Sequence, residues 1–287
     1  MFRLAAFDKA RFIEPVGERA LLPPDSVSWR IFKNPVTLFI GGVAAVILEL
    51  AEPAVRTGVW EHTDFRRDPL RRLERTGLAA VVTVYSARSV AEPMIARVAR
   101  MHGRVEGATP AGESYRANDP KLLRWVQATA AYGFIEAYSR YGQALAPAEI
   151  DQAYAEGAPA SALYGAHDTP RSDAERQALF EAMRGRLEAS PILFEFLEIM
   201  RAAPIALWPL RPVQGLLIRA AVDLTPSWVR ERLGLGHRFG LRRWQRPLVR
   251  LLGALADRVV LPFSPAVQSC RRLGLPAGYL YRRRGTR

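Results

Sequence analysis

The sequence predicts an all-α fold, a single multi-helix domain over residues 1–287. Helix-start devices recur along the chain, while the period-two alternation of a half-buried strand is nearly absent. A hydrophobic content of 49% is enough to give those helices a sizeable shared core.

Taken in order, "VTLFIGGVAAVIL" (36–48) stops at Glu49 and contains two glycines, which suits a buried core helix and is too short to span a bilayer. "DPLRRLERTG" (68–77) and "DPKLLRWVQATAAYGFIEAYSRYG" (119–142) each place an aspartate cap before a proline at the first helical position, where a missing N–H costs nothing. Gly142 supplies a stop for the second. Further helices fit 89–105, 147–156, 172–187, 210–222, 226–233 and 243–260. "GATPAGESYRAND" (107–119) and "GAPASALYGAHDTPRSD" (157–173) read as loops, the second long enough for a lid or a lobe connection. No repeat or polar linker divides the chain, and residues 271–287, ending in "RRRGTR", read as a basic tail.

Charge narrows the partners. Lys and Arg total 41 against 28 Asp and Glu, a formal +13, and only Lys9, Lys33 and Lys121 are lysine. Such a surface suits nucleic acid, an anionic membrane, or acidic ligands such as phosphates and propionates. No zinc-finger spacing or RNP-type aromatic motif accompanies it, so no nucleic acid partner is expected. The single Cys270 excludes an internal disulfide framework and any multi-cysteine metal site, and fits a reducing compartment. "MFRLAAFDKARFIEP" interrupts its apolar residues with Asp8, Lys9 and Arg11, unlike a signal peptide, so a cytoplasmic location is expected. Nucleotide-binding loops, nucleophile elbows and HExxH are absent from the sequence.

Two faces carry candidate chemistry. In "RVARMHGRVEG" (97–107), helical spacing groups His102 with Ile95, Val98 and Val105 and turns Arg97, Arg100 and Arg104 elsewhere. An inward, neutral imidazole needs a partner, which a backbone carbonyl, a carboxylate or an iron atom supplies. Arg72 and Thr76 stand at i and i+4 with Arg75 beside them. A guanidinium fork and a hydroxyl suit an anionic ligand, yet "RRLER" equally suits a solvated face. In "LRRWQRPLVRLLGALADRVVLPF" (241–263), Trp244, Leu248, Leu251, Leu252 and Leu255 form a stripe flanked by arginines. That stripe is expected to pack on the core with the arginines in solvent. Peripheral contact with an anionic membrane surface is the alternative.

The ordered segments "GGVAAVILELAEPAVRTGVWEHTDFRRDPLRRLERT" (41–76), "RVARMHGRVEG" and "YRANDPKLLRWVQAT" (115–129) resemble a family of oxygenases. It includes the rubber oxygenase called latex clearing protein and the fungal enzyme that cleaves a farnesyl chain in mycophenolic acid biosynthesis. The similarity runs from about Gly41 to Tyr154 and more loosely to about Cys270. It implies a globin-like, α-helical core around haem b, with His102 as proximal iron ligand. It also implies that Arg72 and Thr76 are catalytic and haem-pocket residues. Arg75 falls where the rubber oxygenase can close its distal side with a lysine. A guanidinium has no lone pair for iron, so with Arg75 as a cofactor-side residue the sixth position is expected to be open or water-bound at rest unless another group fills it.

Glu52 and Gln127 stand where the family often has histidine, which changes the polar contacts there. Neither Glu49 nor Glu52 is nominated as a catalytic base. His62 matches a family histidine and is expected to cap or hydrogen-bond in the core. Tyr115 is expected to pack or to anchor the next helix, and His167 and His237 to face solvent. The resemblance implies a haem b oxygenase acting, with dioxygen, on a hydrophobic small molecule such as an isoprenoid or another lipid. Oxidative cleavage of a carbon–carbon double bond is the reaction it suggests. The alternatives are a haem sensor or carrier without turnover, and a haem-less peripheral membrane protein of the same fold.

Overall fold

Caps and prolines set where the helices begin. The computed structural model describes residues 10–205 and 208–282. The first half of the chain folds as α1 (Ala10–Ile13), α2 (Val27–Phe32), α3 (Pro35–Glu49), α4 (Pro53–His62), α5 (Pro69–Tyr85), α6 (Arg88–His102) and α7 (Pro120–Tyr141). The second half adds α8 (Pro147–Leu163), α9 (Asp173–Ala182), α10 (Pro191–Ala202), α11 (Arg211–Leu224), α12 (Ser227–Arg232), α13 (Gln245–Ala256) and α14 (Pro265–Arg272). Strands β1 (Glu106–Ala108) and β2 (Ser114–Arg116) pair antiparallel between α6 and α7. The fold is all-α, as the sequence predicts.

Asn34, Asp68 and Asp119 each accept a hydrogen bond from a first-turn N–H of α3, α5 and α7, and a proline follows each cap. Helices α3 and α7 form the centre, with α11 and α13 packed against both. Their crossing is set by two glycines. A Cβ on Gly41 would lie 2.6 Å from the Gly133 carbonyl oxygen, and one on Gly133 would lie 2.3 Å from that of Gly41. Around this contact Ile47, Leu48, Trp125, Phe180, Phe196 and Leu217 are fully buried. Gly133→Ala must therefore push two core helices apart. We expect a loss of about 1–3 kcal/mol or more, read as a lowered midpoint in urea unfolding. An unchanged midpoint would contradict this account of the crossing.

A second cluster joins the ends of the chain to α5 through Phe12, Trp29, Val82, Tyr85 and Cys270. Arg272 is buried within it and donates to the carbonyls of Phe12, Glu18 and Tyr85. Residues 271–281, expected as the start of a tail, are thus held against the body, while 283–287 lie outside the described residues.

Several boundaries differ from expectation. The supposed loop 157–173 is helical up to Leu163, because Ala158, Ala160 and Ser161 pack inward and offset the bond lost at Pro159. Part of 107–119 pairs as the β1–β2 hairpin. Helix α6 ends at His102, so Val105 lies beyond it and does not share its face. The stripe on α13 is the largest correction: Val249 and Gly253 face the core, while Trp244, Leu248, Leu251 and Leu255 are exposed. No single helix among the described residues is long and apolar enough to cross a membrane; α3 and α4 reach that composition only as a pair bent by 111°.

Candidate functional site

Three helix segments converge through one arginine. Arg72 lies one turn into α5, Glu49 is the last residue of α3, and His102 is the last residue of α6. The Arg72 guanidinium is within electrostatic reach of the Glu49 carboxyl, the His102 imidazole and the Arg75 guanidinium. It also donates through Nη1 to Thr76 Oγ1, one turn along α5. Thr76 in turn donates to the Arg72 carbonyl at 2.9 Å, so its own proton is committed to the helix and its oxygen braces the arginine. Arg75 and Thr76 are exposed, and a Cβ on the adjacent Gly77 would meet nothing within 4 Å, so this flank of α5 is open.

His102 is held in its neutral form. Burial lowers its pKa, and the Arg72 charge lowers it further. Its Nδ1 is buried without a hydrogen-bond partner, and its Nε2 is neither buried away from solvent nor bonded among the described residues. Among the described residues no backbone carbonyl or carboxylate, two of the partners open to it from sequence, meets either nitrogen. Neutral imidazole with a free Nε2 is the form that binds a metal. Among the described residues no group of three or more His, Cys, Asp and Glu side chains could hold a metal ion. A single imidazole donor fits a metal that brings its other ligands with it, and haem is such a group. Arg72 adds the positive charge that a propionate requires.

Glu49 is the residue the sequence reading passed over. Burial pushes its carboxyl up to about 7, with Arg72 opposing the shift. Its place at the negative end of the α3 dipole acts in the same direction as burial. The residue nevertheless keeps some accessible surface, so it stands at the edge of the core rather than deep within it. Glu52 is different: fully buried, it caps α4 by accepting from the Val55 N–H at 2.8 Å and receives Arg186 Nη2 at 3.0 Å. Two glutamates three positions apart therefore have separate roles. Gln127 accepts from Ser161 Oγ at 3.3 Å, which gives that polar side chain a partner.

The remaining candidates stand apart. His62 is exposed at the end of α4, not in the core, and His167 and His237 are exposed as expected. Tyr115 is buried, its ring against Gly58 and Gly107, and its hydroxyl has no partner among the described residues. A separate cleft of about 400 Å³ runs between α7, α9 and α12, lined by Tyr132, Glu136, Arg176 and Trp228. There Arg176 covers the Tyr132 ring at 5.1 Å, and none of the candidate residues takes part.

The family model described as "ER-bound oxygenase mpaB/B'/Rubber oxygenase, catalytic domain" matches residues 29–258, about four-fifths of the chain. The chain belongs to this oxygenase family. The match contains Glu49, Arg72, Arg75, Thr76 and His102, together with the helices that carry them. It begins before Gly41, where the sequence resemblance starts, and ends within the segment that follows α13. No curated protein and no solved structure matches the chain. Membership in the mpaB/rubber oxygenase family, and with it an oxygenase-type catalytic domain, rests on the family model.

Proposed function

We propose that the chain is a haem b-dependent oxygenase that takes a hydrophobic, unsaturated substrate of the isoprenoid or lipid class and cleaves a carbon–carbon double bond with dioxygen. One arrangement carries this reading: the Arg72 guanidinium acts through space on both a histidine with a buried, unpartnered ring nitrogen and a glutamate whose carboxyl burial pushes up to about 7. His102 would hold the iron of the cofactor through its imidazole. Arg72, braced by Thr76, binds a propionate and fixes the electrostatics around Glu49. Arg75, whose guanidinium has no lone pair to offer a metal, would supply no ligand from its position. When bound, haem supplies the dioxygen and redox chemistry.

Glu49 exchanges the proton. A carboxyl near 7 is ionised often enough to accept a substrate proton and protonated often enough to return one. Adding both oxygen atoms of one dioxygen across a C=C bond gives two carbonyls, a balance that needs no outside reductant. Haem-loaded protein, incubated in air with a polyisoprenoid and with its hydrogenated analogue, should form aldehyde or ketone ends from the first and nothing from the second. Haem uptake without carbonyl formation from any unsaturated isoprenoid or lipid would favour the sensor or carrier reading. Products that form equally from the saturated analogue would contradict double-bond cleavage.

A further inference from the structure

The exposed side of α13 has no partner among the described residues, and its chemistry is unlike the rest of the surface. Trp244 is 62% exposed, Leu251 56% and Leu255 51%, and Leu248 stands between them on the same side. Val259 and Phe263, just past the helix end, are exposed as well. The helix cannot roll to bury it. Gly253 receives the Tyr141 carbonyl so closely that a Cβ there would lie 1.9 Å from the oxygen. Asn34 Nδ2 donates to the Gly253 carbonyl at 2.9 Å, and Lys33 clamps the helix end through the Asp257 carbonyl at 3.0 Å and its carboxylate at 3.1 Å. Val249 fills the core side completely. The apolar strip is held outward by design of the inner face.

Charge says what covers it. Arg242, Arg243, Arg250 and Arg258 are exposed along this segment and form no ion pair among the described residues. Arg246 shares Asp223, at 3.3 Å. The one acid of the segment, Asp257, is turned inward to Lys33. A protein partner would need an apolar groove rimmed by acids on every side. A bilayer of anionic lipids offers both terms at once, apolar depth for the strip and negative headgroups for the arginines.

We infer that α13 and the segment to Phe263 form a docking surface for an anionic lipid bilayer, lying in the interface plane without crossing it. This surface uses none of the candidate site residues, so it stands independently of haem.

The test is co-sedimentation of the full chain with vesicles of phosphatidylcholine alone and with roughly 30% phosphatidylserine. Wild type is expected to bind the anionic vesicles more than about tenfold better, and to release as salt rises from about 0.05 to about 0.5 M. Trp244→Ser with Leu251→Ser and Leu255→Ser should lose more than about tenfold in affinity while keeping its circular dichroism spectrum. Arg242→Gln with Arg243→Gln and Arg250→Gln should lose the preference for phosphatidylserine. Wild type that ignores anionic vesicles, or a serine variant that binds as wild type does, overturns the proposal. So does a concentration-dependent dimer in sedimentation that the serine variant abolishes while vesicles do nothing, since the occupant is then a second copy of this chain.

Discussion

Glu49→Gln is expected to remove a pH-dependent loss of stability and, in the loaded enzyme, most of the turnover. The sign follows from the direction of the shift. The carboxyl is raised from 4.5 to about 7 by burial, so between those values the folded protein keeps a proton that the unfolded chain has released. Wild-type stability therefore falls as pH rises from about 4.5 to about 7 and stays lowered above it. Glutamine stays neutral throughout and should not show this fall. At about 1.4 kcal/mol per pKa unit, discounted for residual accessibility, the gain in the variant at pH 8 is on the order of 1–3 kcal/mol.

Activity should move the opposite way, falling about a hundredfold or more with loss of any limb near neutral pH. Arg72→Met offers a coupled check. Arg72 is the charge that opposes the rise, so its removal should move the wild-type Glu49 limb to higher pH; with Glu49 already glutamine that limb is absent, and only the His102 limb, which Arg72 lowers, should move. Urea midpoints across pH and a pH–rate profile measure both effects. A stability profile unchanged by the glutamine, or a neutral limb that survives it, would remove Glu49 from the mechanism.

The second large effect belongs to His102. Its replacement by alanine should leave the fold intact, because α6 ends at this residue and its imidazole makes no hydrogen bond that holds another element. Nor does the side chain carry a buried charge, since it is kept neutral. Hemin affinity, by contrast, should fall by at least about a hundredfold, equivalent to about 2.7 kcal/mol for loss of the axial bond. Titration of hemin into both proteins, with circular dichroism alongside, separates the two quantities. Equal affinities in two folded proteins would place the iron elsewhere.

Much of the fold was legible wherever local chemistry decides it. Asp68 with Pro69 and Asp119 with Pro120 mark helix starts by satisfying first-turn N–H groups, and the structure begins α5 and α7 at those prolines. Punctuation failed where packing outweighed it. Gly157 and Pro159 look like loop residues, yet they lie inside α8 because the small residues around them pack inward. The stripe on α13 shows a different limit. Periodicity identifies two faces of a helix without saying which one meets the core, and here Gly253 gives the inner face the closer approach. Helices α1, α2, α4, α10 and α14 were not anticipated at all.

The site was legible in parts. His102 and the Arg72–Thr76 pair came from helical spacing combined with a family pattern, and the fold brings them into one electrostatic neighbourhood. Glu49 was passed over because its meaning depends on Arg72, which only the packing of α5 near the end of α3 supplies. A signal was present: a glutamate ending an apolar helix sits at the negative end of the helix dipole, where a carboxylate is disfavoured.

The most direct test of the central claim is the visible absorption spectrum of wild type and of His102→Gly, each purified with haem precursor supplied to the cells, recorded before and after adding imidazole. The account predicts a Soret band in wild type, its loss in a folded glycine variant, and its return when free imidazole occupies the vacated axial place. A Soret band of full intensity in the glycine variant without imidazole, or no band in folded wild type even with added hemin, would contradict His102 as the residue that holds the cofactor.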